Sequence, residues 1–162
     1  MKYLLKAQII LKPLFSVIGI EGCGKTDEGP KWIGALWEQV HKRRAEIEHL
    51  LKPTGEAWGF MSATDEHLGA WKEQGKYLAG WELKDNVKLP AGWSVWKMPK
   101  QTFAVVACTM ATYGEAYRFV VQQYLPKEGY VVAGATHEFY PREFQDIKKD
   151  TFSIYIAVKK NT

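Results

Sequence analysis

Apolar residues come in short runs at the start of the chain, in "YLLKAQIILK" and "FSVIGIEG", parted by Lys12-Pro13. Such β-branched stretches predict a strand, or a bent pair of strands, from about Tyr3 to Ile20, because proline cannot donate to a strand ladder. The spacing then changes. Between Pro30 and Leu51, the residues Ile33, Leu36, Trp37, Val40, Ile47 and Leu51 recur at helical intervals. Pro30 suits a first helical turn and Lys52-Pro53-Thr54-Gly55 a stop, so an amphipathic helix is predicted there. "EAWGFMSAT" and "KYLAGWELK" predict two more strands, joined by a polar stretch around Asp65 to Gly75. The first half thus reads β, α, β, β.

The second half repeats that order. After the turn-rich junction "LPAGW", the run "KQTFAVVACT" predicts a strand. Thr112 with Glu115 has the form of a capping box, opening a helix with Tyr113, Tyr117, Val120 and Tyr124 on one face and Leu125-Pro126 at its end. "GYVVAGATHEFY" and "TFSIYIAV" are the last strands, separated by the charged loop "PREFQDIKKD". Laying Phe15 on Phe103 and Val17 on Val105 aligns the halves as a tandem duplication. The predicted class is α+β: duplicated βαββ repeats with an antiparallel sheet and two main helices. The expected organisation is one domain over 1–162, with repeats at about 1–88 and 96–160.

The first strand-to-helix connection is about five residues longer than the second, and this surplus holds "GIEGCGKT", Gly19 to Thr26. The stretch fits the phosphate-binding pattern G-x-x-x-x-G-K-[ST]. A working phosphate loop needs a helix starting at Gly-Lys-Thr, so that its first N–H groups and dipole face the anion. Here Asp27-Glu28-Gly29-Pro30 follows, placing two carboxylates and a helix-breaking pair in that first turn. The later apolar strands end in Thr109 and Lys159, so no aspartate stands ready for magnesium. The match is read as a surface loop without nucleotide.

At 162 residues and 46% hydrophobic the chain is the size of one ordinary domain and needs no metal or disulfide staples. Cys23 and Cys108 have neither zinc-type spacing nor the numbers of a disulfide scaffold, so a reducing compartment is expected. Lys2, Lys6, Lys12 and Pro13 interrupt any signal-peptide core or membrane span, and a cytoplasmic protein with no membrane partner is expected. Lys and Arg exceed Asp and Glu only by 22 to 18, with no dense basic tract for nucleic acid. His41, His49, His67 and His137 lack metal-ligand spacing and are read as surface or core residues, so no metal and no cofactor are expected.

Aromatic content is high, at 14% with 7 Trp and 8 Tyr, and these rings carry polar handles that ordinary cores avoid. In "ATHEFYPREF" strand alternation puts Thr136, Glu138 and Tyr140 on one face, His137 and Phe139 on the other. A carboxylate in a ring-lined cavity would attract an organic cation through its charge and the ring faces. An exposed Glu138 on a surface strand is the other reading of the same alternation. The helical rings Trp37, Tyr113 and Tyr117 read as core anchors; Trp58, Trp71, Trp81, Trp93 and Trp96 read as candidates for a pocket rim.

The order of these stretches resembles the GyrI-like small-molecule-binding domains. This gyrase-inhibitor-like superfamily also supplies the effector modules of AraC-type and MerR-type regulators. "FSVIGIEG", "IGALWEQVHKR", "KYLAGWEL", "LPAGWSVWKMPKQTFAVVAC", "YRFVVQQYLPKEGY", "HEFYP" and "SIYIAVK" carry the resemblance nearly end to end. It implies a pseudo-two-fold axis between the repeats and a central aromatic cleft with an acid in an E-x-Y stretch, here Glu138-Phe139-Tyr140. Tyr155 and Trp37 match positions that approach the ligand, and Trp81 stands where a small aliphatic residue is usual. The implied ligand-binding set is Glu138, Tyr140, Tyr155, Trp37, Trp81, Trp58, Tyr113 and Tyr117. The implied partner is an amphipathic small molecule, cationic or aromatic. The module begins within the first few residues, so a stand-alone binder without direct nucleic-acid contact is expected. Two other functions are implied by the resemblance: hydrolysis of strained electrophilic compounds, with Glu138 as general base and Trp37 positioning the substrate, and inhibition of a gyrase-like protein partner.

Overall fold

A computed structural model describes residues 5–162; the predicted strand start at Tyr3 and Leu4 lies outside the described residues. The strands are β1 (Ala7–Lys12), β2 (Phe15–Lys25), β3 (Ala57–Ser62), β4 (Gln74–Glu82), β5 (Ser94–Met98), β6 (Gln101–Cys108), β7 (Tyr130–Tyr140) and β8 (Phe152–Lys160). The helices are α1 (Gly29–Arg43), α2 (Tyr113–Phe119) and the short α3 (Leu125–Glu128). The strands form an eight-stranded sheet in the order β1-β6-β8-β7-β3-β4-β2-β5, and every pairing is antiparallel.

Read outward from its centre, that order is symmetric. β7 and β3 meet in the middle, β8 and β4 flank them, β6 and β2 come next, and β1 and β5 close the edges. The two repeats are therefore β2-α1-β3-β4 and β6-α2-β7-β8, related by a pseudo-two-fold axis at the β3/β7 seam. Each repeat also has a leading strand that joins the other half: β1 pairs with β6, and β5 pairs with β2. Lys12-Pro13 thus marks a crossing between halves and not a bend within one strand. β5 lies just after the predicted turn-rich junction "LPAGW", in residues for which the sequence reading gives no element, because five residues give too short a run to show alternation.

Period-two alternation divides the core. Ile18, Tyr77, Ala79, Trp81, Ala104, Ile154 and Ile156 pack beneath Leu36 and Val40 of α1 and Ala116 of α2. Val17, Trp58, Phe60, Leu78, Trp96 and Phe103 form a second cluster on the face that none of the described helices covers. α1 stops at Arg43, and the apolar pattern runs on through the 3₁₀ turns Arg44–Glu46 and Glu48–Leu50, which bury Ile47 and Leu50.

Three local expectations are corrected. Thr112 stands at the N-cap of α2 but its side chain makes no capping bond; its hydroxyl instead accepts the Thr109 N–H at 2.9 Å, closing the preceding turn. The second helix also continues past Leu125-Pro126. A π-helical segment, Val120–Tyr124, separates Pro126 from the α2 ladder, and α3 begins afresh with the proline in its first turn, where a missing N–H is no loss. The chain leaves at Gly129, in a left-handed conformation (φ 79°).

The third correction concerns Gly19 to Thr26: Gly19 to Lys25 is ordered strand and not a loop, and Thr26 opens a 3₁₀ turn. Its residues pair with β4 from Gly19↔Gly80 to Lys25↔Gln74. Thr26 donates its N–H to Glu73 O at 2.9 Å, and α1 starts only at Gly29. The glycines seat indoles. A Cβ at Gly24 would lie 2.6 Å from Trp32, and one at Gly75 would lie 2.3 Å from Trp71, while the two indoles stack at 5.6 Å.

Candidate functional site

Glu138 sits on β7 at the pseudo-two-fold seam, paired across to Gly59 of β3. It is 7% exposed. Its Oε1 accepts the Tyr77 hydroxyl at 2.6 Å and the Tyr140 hydroxyl at 2.7 Å. Trp37 of α1 donates its indole N–H to Tyr77 Oη at 3.1 Å, so an indole, a phenol, the carboxyl and a second phenol form one chain of hydrogen bonds. Gly59 makes room for it: a Cβ there would lie 1.8 Å from Tyr77 Oη and 3.0 Å from Glu138 Oε1.

Electrostatics follow from burial. Desolvation raises the Glu138 pKa above the ordinary carboxylate range, against the opposing pull of hydrogen bonds from Tyr77, Tyr140 and Tyr113. The phenols of Tyr77, Tyr113 and Tyr140 are raised as well, first by burial and then by the Glu138 charge. Burial and Glu138 together push the Cys108 thiol up to about 12. Among the described residues no lysine or arginine pairs with Glu138.

Beside this group opens a cleft of about 340 Å³. Trp37 and His41 line it from α1, Trp81 from β4, and Tyr140 from the end of β7 with Phe144 beyond. Trp37 meets Tyr140 edge-on at 5.4 Å, and His41 meets Trp81 at 5.6 Å. Trp37 and Tyr140 are lining residues that also belong to the hydrogen-bonded chain, and Glu138 lies behind them. Two guanidiniums also line the cleft: Arg44, 4.7 Å over the Trp81 ring, and Arg142. Burial, then Arg44, lowers the His41 pKa.

The structure brings together Trp37, Trp81, Tyr140 and, behind them, Glu138. Tyr113 approaches Glu138 from α2 and, with Tyr117, lines a separate hollow beside Met61 and Trp71. Trp58 and Tyr155 are not brought to the cleft. The register pairs Glu138 with Gly59 and Ile154, so the adjacent Trp58 and Tyr155 fall on the opposite face, packed on each other at 4.9 Å. Of the rim candidates only Trp81 lines the cleft: Trp93 lies under Arg43, Trp96 donates to Glu21 at 2.6 Å, and Trp71 stacks on Trp32. His137 is a core residue whose Nδ1 accepts the Met61 N–H at 3.1 Å. No group of three or more potential metal ligands is present among the described residues, and none of their helices is long and apolar enough to cross a membrane. Sequence reasoning missed Tyr77 and Gly59; the phase shared by Tyr77, Ala79 and Trp81 on β4 was the available signal.

With this geometry in hand, the likenesses to known proteins are specific. Residues 8–158 match the family model of Cass2, the integron-associated effector binding protein. The transcriptional regulator BrlR of Pseudomonas aeruginosa is 27% identical over 144 residues, covering 86% of this chain and 49% of BrlR; the chain thus spans about half the length of that relative. Among solved structures, the EcmrR C-terminal domain superposes with a TM-score of 0.72 at 16% identity, covering 98% of this chain and 99% of that one. SAV2435, solved bound to tetraphenylphosphonium, gives 0.67 at 14% identity, covering 95% and 94%. At such identities the structural likeness speaks for the fold alone. The match over nearly the whole described chain is what assigns the family: this protein belongs to the integron-associated effector binding proteins, within the GyrI-like effector-binding domains.

Proposed function

We propose that the chain reversibly binds an amphipathic aromatic cation in the cleft beside α1, for sensing or sequestration in the cytoplasm. The observation that carries this reading is Glu138: buried, held by two phenols, and paired with no basic side chain among the described residues. Burying a carboxylate is costly unless a positive charge compensates it. An aromatic cation seated among Trp37, Trp81 and Tyr140 gains ring-face contacts of about 0.5–2 kcal/mol each and approaches that charge. Tyr77 and Tyr140 already orient their hydroxyls toward the ionised form, so little reorganisation is needed.

The test is a tryptophan-quenching titration with tetraphenylphosphonium, on wild type and Glu138→Gln. Binding that weakens at least about tenfold in the variant supports the reading, tenfold being 1.4 kcal/mol of lost charge compensation. Equal affinities would contradict it. Mass spectrometry of the recovered probe distinguishes binding from turnover.

A further inference from the structure

The helix-free face of the sheet holds a second cavity, of about 530 Å³, with His137 among its lining residues. His137 is 1% exposed, and it takes no part in the Glu138 group because it points to the other side of β7. Its Nδ1 accepts the Met61 N–H at 3.1 Å, so in the neutral ring the proton sits on Nε2. No described residue accepts from Nε2, yet among the described residues no side-chain nitrogen or oxygen shut off from the surface lacks a partner. The Nε2–H therefore opens into the cavity, a single donor at its base. Burial keeps the ring neutral by lowering its pKa to about 3.

The walls are built for this space. β7 breaks register with β8 between Val132 and Thr136, which turns Ala133 and Gly134 into the lining. Against this irregular stretch Leu68 is held at a φ of 63°, its N–H on Ser62 Oγ at 2.8 Å and its carbonyl on the Ala135 N–H at 3.1 Å. Leu14, Leu68, Met98 and Ala157 make most of the lining apolar. The charged and titratable groups are Lys97, Glu66 and His67, one of each sign plus an imidazole, and Gln101 adds an amide. A carboxylate at the base would meet a neutral ring and no buried cation, which one N–H does not offset. A carbonyl oxygen fits that single donor.

We propose that this cavity is a second ligand site, in which His137 donates its Nε2 proton to the carbonyl oxygen of an uncharged, largely apolar molecule such as an amide, lactone or ketone. It is independent of the cation cleft.

The test uses the full chain and acetanilide as probe, read by the His137 imidazole signals in ¹H–¹⁵N correlation spectra. Ethylbenzene and phenylacetate serve as the apolar and anionic controls. The expected result is a progressive shift of the His137 Nε2 resonance, with both controls weaker by about tenfold and Ala133→Phe, at an exposed position on the cavity wall, weakening acetanilide about fivefold. A resonance that stays put up to the solubility limit, or ethylbenzene binding as tightly as acetanilide, overturns the proposal. So does unchanged binding in a folded Ala133→Phe. Should that variant fail to fold, the ligand series on wild type decides alone.

Discussion

A carboxyl group with two phenols on one oxygen is a proton-linked device at the scale of a single residue. The Glu138 pKa is raised in the fold above its ordinary 4.5, so between those two values the folded chain holds a proton that the unfolded chain has lost. Its contribution to stability is fully present below 4.5 and is lost as pH rises through the folded pKa. His137 acts in the opposite sense: lowered from 6.5 to about 3, it supports the fold fully above 6.5 and less as pH falls toward 3. Glu138→Gln is therefore expected to remove only the loss on the alkaline side, so that its Tm advantage over wild type grows from pH 4.5 upward. Thermal melts across the pH range check this; a constant difference would sink it. The residue itself was legible, because alternation in "THEFY" placed it on one face with Tyr140. Tyr77 was not, because it lies 61 positions away, and only the β3/β4 pairing, which sets Tyr77 opposite Met61, brings its hydroxyl to 2.6 Å from Glu138.

The phosphate-loop pattern lies in a paired strand and not in a loop leading into a helix. β2 uses Gly22, Gly24 and its partner Gly75 as flat ground for Leu36, Trp32 and Trp71, and the backbone N–H groups of Gly19 to Lys25 lie in a strand paired to β4. Lys25→Ala, an exposed change, is expected to leave stability within about 0.5 kcal/mol and tetraphenylphosphonium binding unchanged. Gly75→Val puts a branched side chain where Trp71 lies and is expected to destabilise by about 1–3 kcal/mol. Urea unfolding measures both; a damaging Lys25→Ala beside a harmless Gly75→Val would reverse these roles. A regular expression records glycine without recording whether the empty Cβ position faces an anion or an indole.

Across the whole molecule the charge at the cleft is divided, with Arg44 and Arg142 among its lining residues and a lone acid behind its rings. The guanidiniums repel a cation on approach, while Glu138 favours it once seated. Arg44→Ala and Arg142→Ala are each expected to raise tetraphenylphosphonium affinity about two- to five-fold at low salt, the gain shrinking above 0.15 M as screening removes the repulsion. Titrations at two ionic strengths measure this, and weaker binding in both variants would show instead that the arginines hold the cleft open. Arg44 has a second contact, over the Trp81 ring, which Arg44→Ala also removes; the Arg142 variant is the cleaner reading.

The sequence alone determined the alternating and helical periods, and through them the α+β class, the doubled β-α-β-β order and the face on which Glu138 lies. These are local properties, fixed by where consecutive side chains point. Only the tertiary structure decided that β1 and β5 change halves, that Trp58 and Tyr155 lie on the far side of the sheet from Glu138, and that Tyr77 reaches Glu138 across Gly59. Strand order and register couple residues far apart in the chain, and a one-position difference in register moves a ring from one face to the other.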